Sequence, residues 1–240
     1  MNAPGRRHAV IRAVARMREP AGPRILGGEG MLDLVVREGL PRATAARAVD
    51  DMVAMGAIER IRPGLYVNRL APAPVADEEL LHFLRPGAVV SLHSVLGRGG
   101  ILSGAPLVVH GIVPVGRGDR PKLGTVQFGP RLQARIFAMP RELIDSEELR
   151  QMGAMNGATA YPESVPEKAM ADWVYLASRP RTSLGMPPLD ADTDLMDVDF
   201  ARELAARLGV GGQLDAWLAD KAEHDADPDV QANGLSGSRL

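Results

Sequence analysis

This sequence predicts an α+β fold in two parts, a head of three short helices and a hairpin over residues 1–70 and a mixed α/β domain over 76–225. Three observations carry that prediction. Apolar residues recur at intervals of three and four in three successive segments of the head. Two short extended runs split by Pro63-Gly64 follow them. Beyond residue 106, β-branched stretches alternate with Gly and Pro before helical spacing returns.

In residues 6–18, Ala9, Val10, Ala13, Val14 and Met17 form one face of an amphipathic helix, ended by Pro20 and Pro23. After Gly27-Gly28, the residues Met31, Leu32, Leu34, Val35 and Val36 make a second helix that stops at Gly39, with Leu40 and Pro41 as the turn. The third helix covers 42–55. Its apolar face is Ala45, Ala46, Val49, Met52 and Val53, its polar face Arg42, Thr44, Arg47, Asp50 and Asp51, and Gly56 is its C-cap. Residues 57–62 and 65–68 then read as a hairpin turned at Pro63-Gly64.

Three helices followed by a hairpin is the order of a winged helix-turn-helix, whose third helix enters the major groove of DNA. On that reading Arg42, Thr44 and Arg47 are the candidate DNA contacts of the helix, since Arg bonds guanine edges bidentately and Thr reaches phosphate or a thymine methyl. Arg60 and Arg62, two apart on a strand, are expected to point together at the backbone or minor groove. The plain alternative for all five is a solvated polar face. Arg6 and Arg7 are a possible phosphate-contacting arm or a solvated tail, and Tyr66 is expected to pack against the helices.

Pro72, Ala73 and Pro74 read as a stiff linker. A helix is expected at 77–84, with Asp77, Glu78 and Glu79 at the end its dipole favours. Residues 88–96 are open between strand and helix. Strands are expected at 107–113, 124–128 and 132–138, a short helix at 144–152, and a central helix at 165–176 with Pro166 in its first turn and Ala169, Met170, Trp173, Val174 and Leu176 inward. Helices at 198–208 and 213–222 finish the domain. The polar stretch 226–240 is expected to be disordered.

The composition is that of a globular chain, 45% hydrophobic and 24% charged, but only 4% aromatic, so its cores must be aliphatic. With no cysteine there are no disulfides, thiolate zinc sites or cysteine nucleophiles. No signal-like leader and no apolar run of membrane length occurs, so a cytoplasmic location without membrane association is expected. Residues 1–70 hold twelve arginines against seven acids, a net charge of +5, while the remainder carries −7. A basic head on an acidic body suits a nucleic-acid-binding module, although Arg-rich usage throughout the chain is an alternative account.

His8, His82, His93, His110 and His224 lack ligand spacing, so neither a metal nor a cofactor is expected. Glu163, Glu167, Lys168 and Asp172 form the one carboxylate-rich patch a metal-dependent DNA-processing enzyme would use. Helix-dipole and i,i+4 pairing explain the patch better. His93 and Ser94, near Ser91, lack an orienting acid and a nucleophile elbow, and Gly97, Gly99 and Gly100 lack the Lys of a phosphate loop, so the chain is not expected to be an enzyme.

Three segments in order resemble the AbiEi family, antitoxins of type IV toxin-antitoxin systems. They are PRATAARAVDDMVAMGAIERIRPGLYVN at 41–68, RPGAVVSLHSVLGRGGIL at 85–102, where Val89 replaces the family's aromatic, and PEKAMADWVYL at 166–176. The resemblance implies a winged-helix antitoxin that represses its own operon and counteracts a nucleotidyltransferase toxin without a stable complex. Its expected partners are double-stranded operator DNA, that toxin as a functional opponent, and a second copy on repeated half-sites. A ligand-sensing winged-helix repressor is the alternative, to be recognised by a well-formed pocket in the second domain.

Overall fold

The computed structural model describes residues 3–104, 106–120, 123–144 and 161–227. Among the described residues it is a mixed α+β protein of eight α-helices and two sheets. The chain divides into two compact units. One is Met1–Leu80 with Gln127–Leu132, the other Leu81–Val126 with Gln133–Leu240.

In the first unit the order is α1 (Ala3–Met17), β1 (Ile25–Gly27), α2 (Gly28–Arg37), α3 (Arg42–Ala54), β2 (Ile58–Arg62) and β3 (Leu65–Asn68). The three helices and the hairpin fall where apolar spacing and turn residues put them. Strand β1 was not expected. It is only three residues long, within a Pro/Gly-rich break, yet it pairs antiparallel with β3 and makes a three-stranded sheet ordered β1-β3-β2. Ala13, Met17, Met31, Val35, Ala48 and Met52 are fully enclosed in an aliphatic and methionine-rich core. The apolar face of α3 is rotated from the expected one: Ala45, Ala48, Val49 and Met52 are buried, whereas Ala46 faces solvent. Small residues carry little periodic signal, so an Ala-rich helix misreports its own orientation.

Two details hold the sheet to the helices. Gly28, opening α2, lies so near the hairpin turn that a Cβ on it would sit 3.1 Å from the Cα of Gly64, which itself has φ +77°. Asn68 is buried at the end of β3, where its side-chain amide donates to the carbonyls of Met17 (2.8 Å) and Pro23 (2.9 Å) and its oxygen accepts from the Leu70 N–H. One side chain thus ties the end of α1, the lead into β1 and the end of the hairpin.

The Pro72-Ala73-Pro74 stretch lies inside the first unit and is held there. Arg24 donates to the carbonyls of Ala73 (3.4 Å) and Pro74 (2.7 Å), and ion-pairs with Glu79 at 2.8 Å. Within the same unit Arg131 pairs with Asp77 at 2.8 Å, with Glu59 at 3.6 Å, and donates to the Val75 carbonyl.

Helix α4 (Asp77–Leu84) leads to β4 (Val89–Val90) and α5 (His93–Arg98), so the open segment resolves as strand then helix. The second sheet is completed by β5 (Val109–Val115), β6 (Gly124–Phe128) and β7 (Leu132–Pro140), in the order β4-β5-β7-β6. It is mixed: β4 runs antiparallel to β5, and β5 parallel to β7 with His110 opposite Arg135. Helix α6 (Pro166–Ala177) is the central helix, with Ala169, Met170, Val174 and Leu176 enclosed, and α7 (Val198–Arg207) and α8 (Gly211–Ala226) follow it. The helix expected at 144–152 lies in part, and the segment 228–240 of the expected tail wholly, outside the described residues.

Between β4 and α5 the chain turns at Leu92, whose φ of 57° and ψ of −138° are ordinarily glycine's. Its side chain is fully buried, so packing holds a backbone conformation that local preference opposes.

Candidate nucleic-acid interface

Helix α3 begins at Arg42 directly after Pro41, and the Thr44 hydroxyl donates back to the Pro41 carbonyl at 2.9 Å. That bond commits the Thr44 proton to the helix start. Arg42 reaches across to α2, where its guanidinium donates to Asp33 at 3.2 Å and also pairs with Glu29. The hydrogen bond Arg42 donates to Glu29, then the charge of Glu29, raises the pKa of Arg42 above its ordinary value. Arg47, one turn on, is exposed and has no hydrogen bond or ion pair among the described residues.

On the hairpin, Arg60 donates to Asp50 of α3 at 2.5 Å and lies over the Tyr66 ring with its guanidinium carbon 5.5 Å from the centroid. Tyr66 packs against the core as expected. The register changes between Arg60, opposite Tyr66, and Arg62, opposite Leu65. Ile61 is the extra residue of a β-bulge and is buried, while Arg60 and Arg62 on either side of it are exposed. Arg62 is exposed and, among the described residues, unpaired.

The five candidates therefore sort into three groups. Arg47 and Arg62 are free cations, Arg42 and Arg60 are exposed cations bridged to acids, and Thr44 is engaged in its own helix. Between α2, α3 and the hairpin lies a cavity of about 420 Å³ lined in part by Glu29, Ala46, Asp50, Arg60 and Tyr66. Its acids are those that hold Arg42 and Arg60, so a phosphate approaching either arginine competes with a carboxylate. Exposed ion pairs are worth about 0–1 kcal/mol, which leaves such an exchange inexpensive. Two further cations belong to the same unit. Arg37, which spacing did not single out, ends α2, exposed and, among the described residues, unpaired, while Arg6 of the candidate arm pairs with Asp51 of α3 at 2.9 Å.

In the second unit the carboxylate patch does not converge. Glu163 pairs with Arg98 at 2.9 Å, Glu167 accepts from the Asp197 N–H at 2.9 Å, and Asp172 is buried against Lys168. The i,i+4 pair foreseen from the sequence is present, but on the enclosed side of α6. There Ser91 donates to the second Asp172 oxygen at 3.0 Å, which gives the buried carboxylate a second partner. Ser94 accepts from the His110 backbone N–H at 2.8 Å, and the His93 and His110 rings meet edge to face at 5.8 Å. Among the described residues no three His, Cys, Asp or Glu side chains gather as metal ligands.

No protein-family model matches the sequence, and no curated protein sequence does. Among solved structures the chain is similar to the crystal structure of the Rv2827c protein from Mycobacterium tuberculosis. The TM-score is 0.53 at 13% identity, over 88% of this chain and 80% of that one. A likeness of that kind is one of fold.

Proposed function

We propose that this chain is a DNA-binding regulator whose first unit is a winged helix-turn-helix, with α3 as the reading helix and β2–β3 as the wing. The observation that carries the reading is the order α1-β1-α2-α3-β2-β3 with β1 paired to β3, on a segment of net charge +5. The free arginines Arg47 and Arg62 are its primary DNA contacts, and Arg42 and Arg60 exchange acids for phosphates on binding. With the resemblance of three segments to the AbiEi antitoxins, the reading extends to a cytoplasmic, non-enzymatic antitoxin of a type IV system. It represses its own operon, two copies on repeated half-sites, and opposes a nucleotidyltransferase toxin without a stable complex.

Binding of the chain to the DNA upstream of its own gene, beside a scrambled duplex and at two salt concentrations, tests this. Affinity for the natural duplex should exceed that for the scrambled one and fall steeply as salt rises, because each phosphate contact releases counterions. Arg47→Ala should cost roughly tenfold in affinity, in the range of about 1–3 kcal/mol for a base or phosphate contact. Equal affinity for both duplexes would overturn the regulator reading at its root.

A further inference from the structure

The second unit contains a cavity of about 490 Å³ between the edge of the sheet and the C-terminal end of α6. Its walls are of two kinds. Phe137 and Tyr175, both largely buried, Leu176 and the exposed Leu123 supply apolar surface. Arg135, Arg179 and Arg181 supply charge.

Those arginines are unusual for this molecule. Elsewhere its arginines are commonly bound to acids, and residues 71–240 carry a net −7, yet among the described residues none of these three has a carboxylate partner. Arg179 lies over the Tyr175 ring with its guanidinium carbon 4.4 Å from the centroid, and Arg135 over Phe137 at 5.1 Å, so each of these two cations rests against an aromatic face. Arg135 also donates to the Ser183 carbonyl at 2.8 Å, which anchors the segment bearing Arg179 and Arg181 to β7. Ser183 itself adopts a left-handed φ of 50°. Guanidiniums without a carboxylate partner keep N–H groups available, and the planar fork of an arginine matches phosphate oxygens bidentately. An adjoining apolar wall accepts a flat or aliphatic group, and a volume of this size is that of a small-molecule site.

We infer that this cavity binds a nucleoside phosphate, its phosphates on Arg135, Arg179 and Arg181 and its base and sugar along Leu123, Phe137 and Tyr175. The inference is independent of the DNA reading, because the site lies wholly within the second unit. Calorimetric titration of the full chain with adenosine and guanosine mono- and triphosphates, with inorganic phosphate and with a duplex oligonucleotide tests it.

A nucleoside phosphate should bind at least tenfold more tightly than inorganic phosphate. The R179A/R181A double variant should weaken it roughly a hundredfold, about tenfold for each lost charge-assisted contact. Both residues are exposed, and R207A, whose arginine pairs with Glu203 on α7, should leave affinity unchanged. If the double variant fails to fold, L123E at the cavity mouth should weaken binding in its place. No heat with any nucleotide, equal affinity for inorganic phosphate, saturation by the duplex alone, or unchanged affinity in a folded double variant would each overturn the inference.

Discussion

His110 stands opposite Arg135 in the sheet, against the His93 and Phe137 rings, and its pKa is lowered to about 4. Burial is the larger cause, followed by the charges of His93 and Arg135. The unfolded chain therefore binds a proton that the folded one refuses between about pH 6.5 and 4, so stability rises with pH across that window. Below it the loss amounts to about 3 kcal/mol, an upper figure for a partly accessible ring. Thermal melts between pH 4 and 7 should show the slope, and His110→Gln should flatten it; an unchanged slope would place the titration elsewhere. A lone histidine in a sequence carries no mark of such burial. Arg42, Thr44, Arg47, Arg60 and Arg62 were legible as polar residues of one helix and one strand, but their pairing was not. Whether a cation is free depends on acids such as Glu29 and Asp33, which only the packing of α2 against α3 brings within reach.

Helix spacing located α1, α2 and α3 to within a few residues because each buries a stripe of aliphatic or methionine side chains. Strand β1 carried no comparable signal, since three residues cannot show alternation and pairing with β3 alone makes them a strand. The same dependence on neighbours singles out Asn68, a residue the hairpin pattern would treat as an ordinary strand end. Asn68→Ala should destabilise the first unit by about 1–3 kcal/mol, because the buried Met17 carbonyl and the partly buried Pro23 carbonyl lose their shared donor. Urea denaturation measures this, and Asn68→Asp should fare no better, since a carboxylate cannot donate to them. In the second unit the central helix α6 was legible from its apolar run, and the i,i+4 pairing of Lys168 and Asp172 was too, but not that the pair is buried. Ser91, 81 residues away in the chain from Asp172, donates to that carboxylate, a partner that no local spacing announces.

For the whole molecule, composition and charge foretold an α+β chain with a basic head, and the position of the second sheet followed from Gly, Pro and β-branched residues. What they did not foretell is that Gln127–Leu132 belongs to the first unit. A contribution from so far along the chain leaves no periodic trace near residue 70. A fragment of residues 1–80 lacks the Arg131 contacts to Asp77 and Glu59, and its melting temperature should lie below that of the same unit in the intact chain. A tryptophan-free first unit makes circular dichroism the suitable probe, since both tryptophans, Trp173 and Trp217, lie in the second. Equal melting would mean that the distant segment adds nothing.

The interleaving of the chain also bears on inheritance. A regulator whose head ends at a linker can trade that head with another gene by one crossover, and its specificity can drift by shuffling. Here a single crossover after Leu80 would deliver a foreign head to a native Gln127–Leu132 shaped for its predecessor. A working exchange requires two matched replacements, so on the proposed DNA-binding reading the contact surface is expected to diversify by point substitution, at positions such as Arg47 and Arg62, more readily than by recombination.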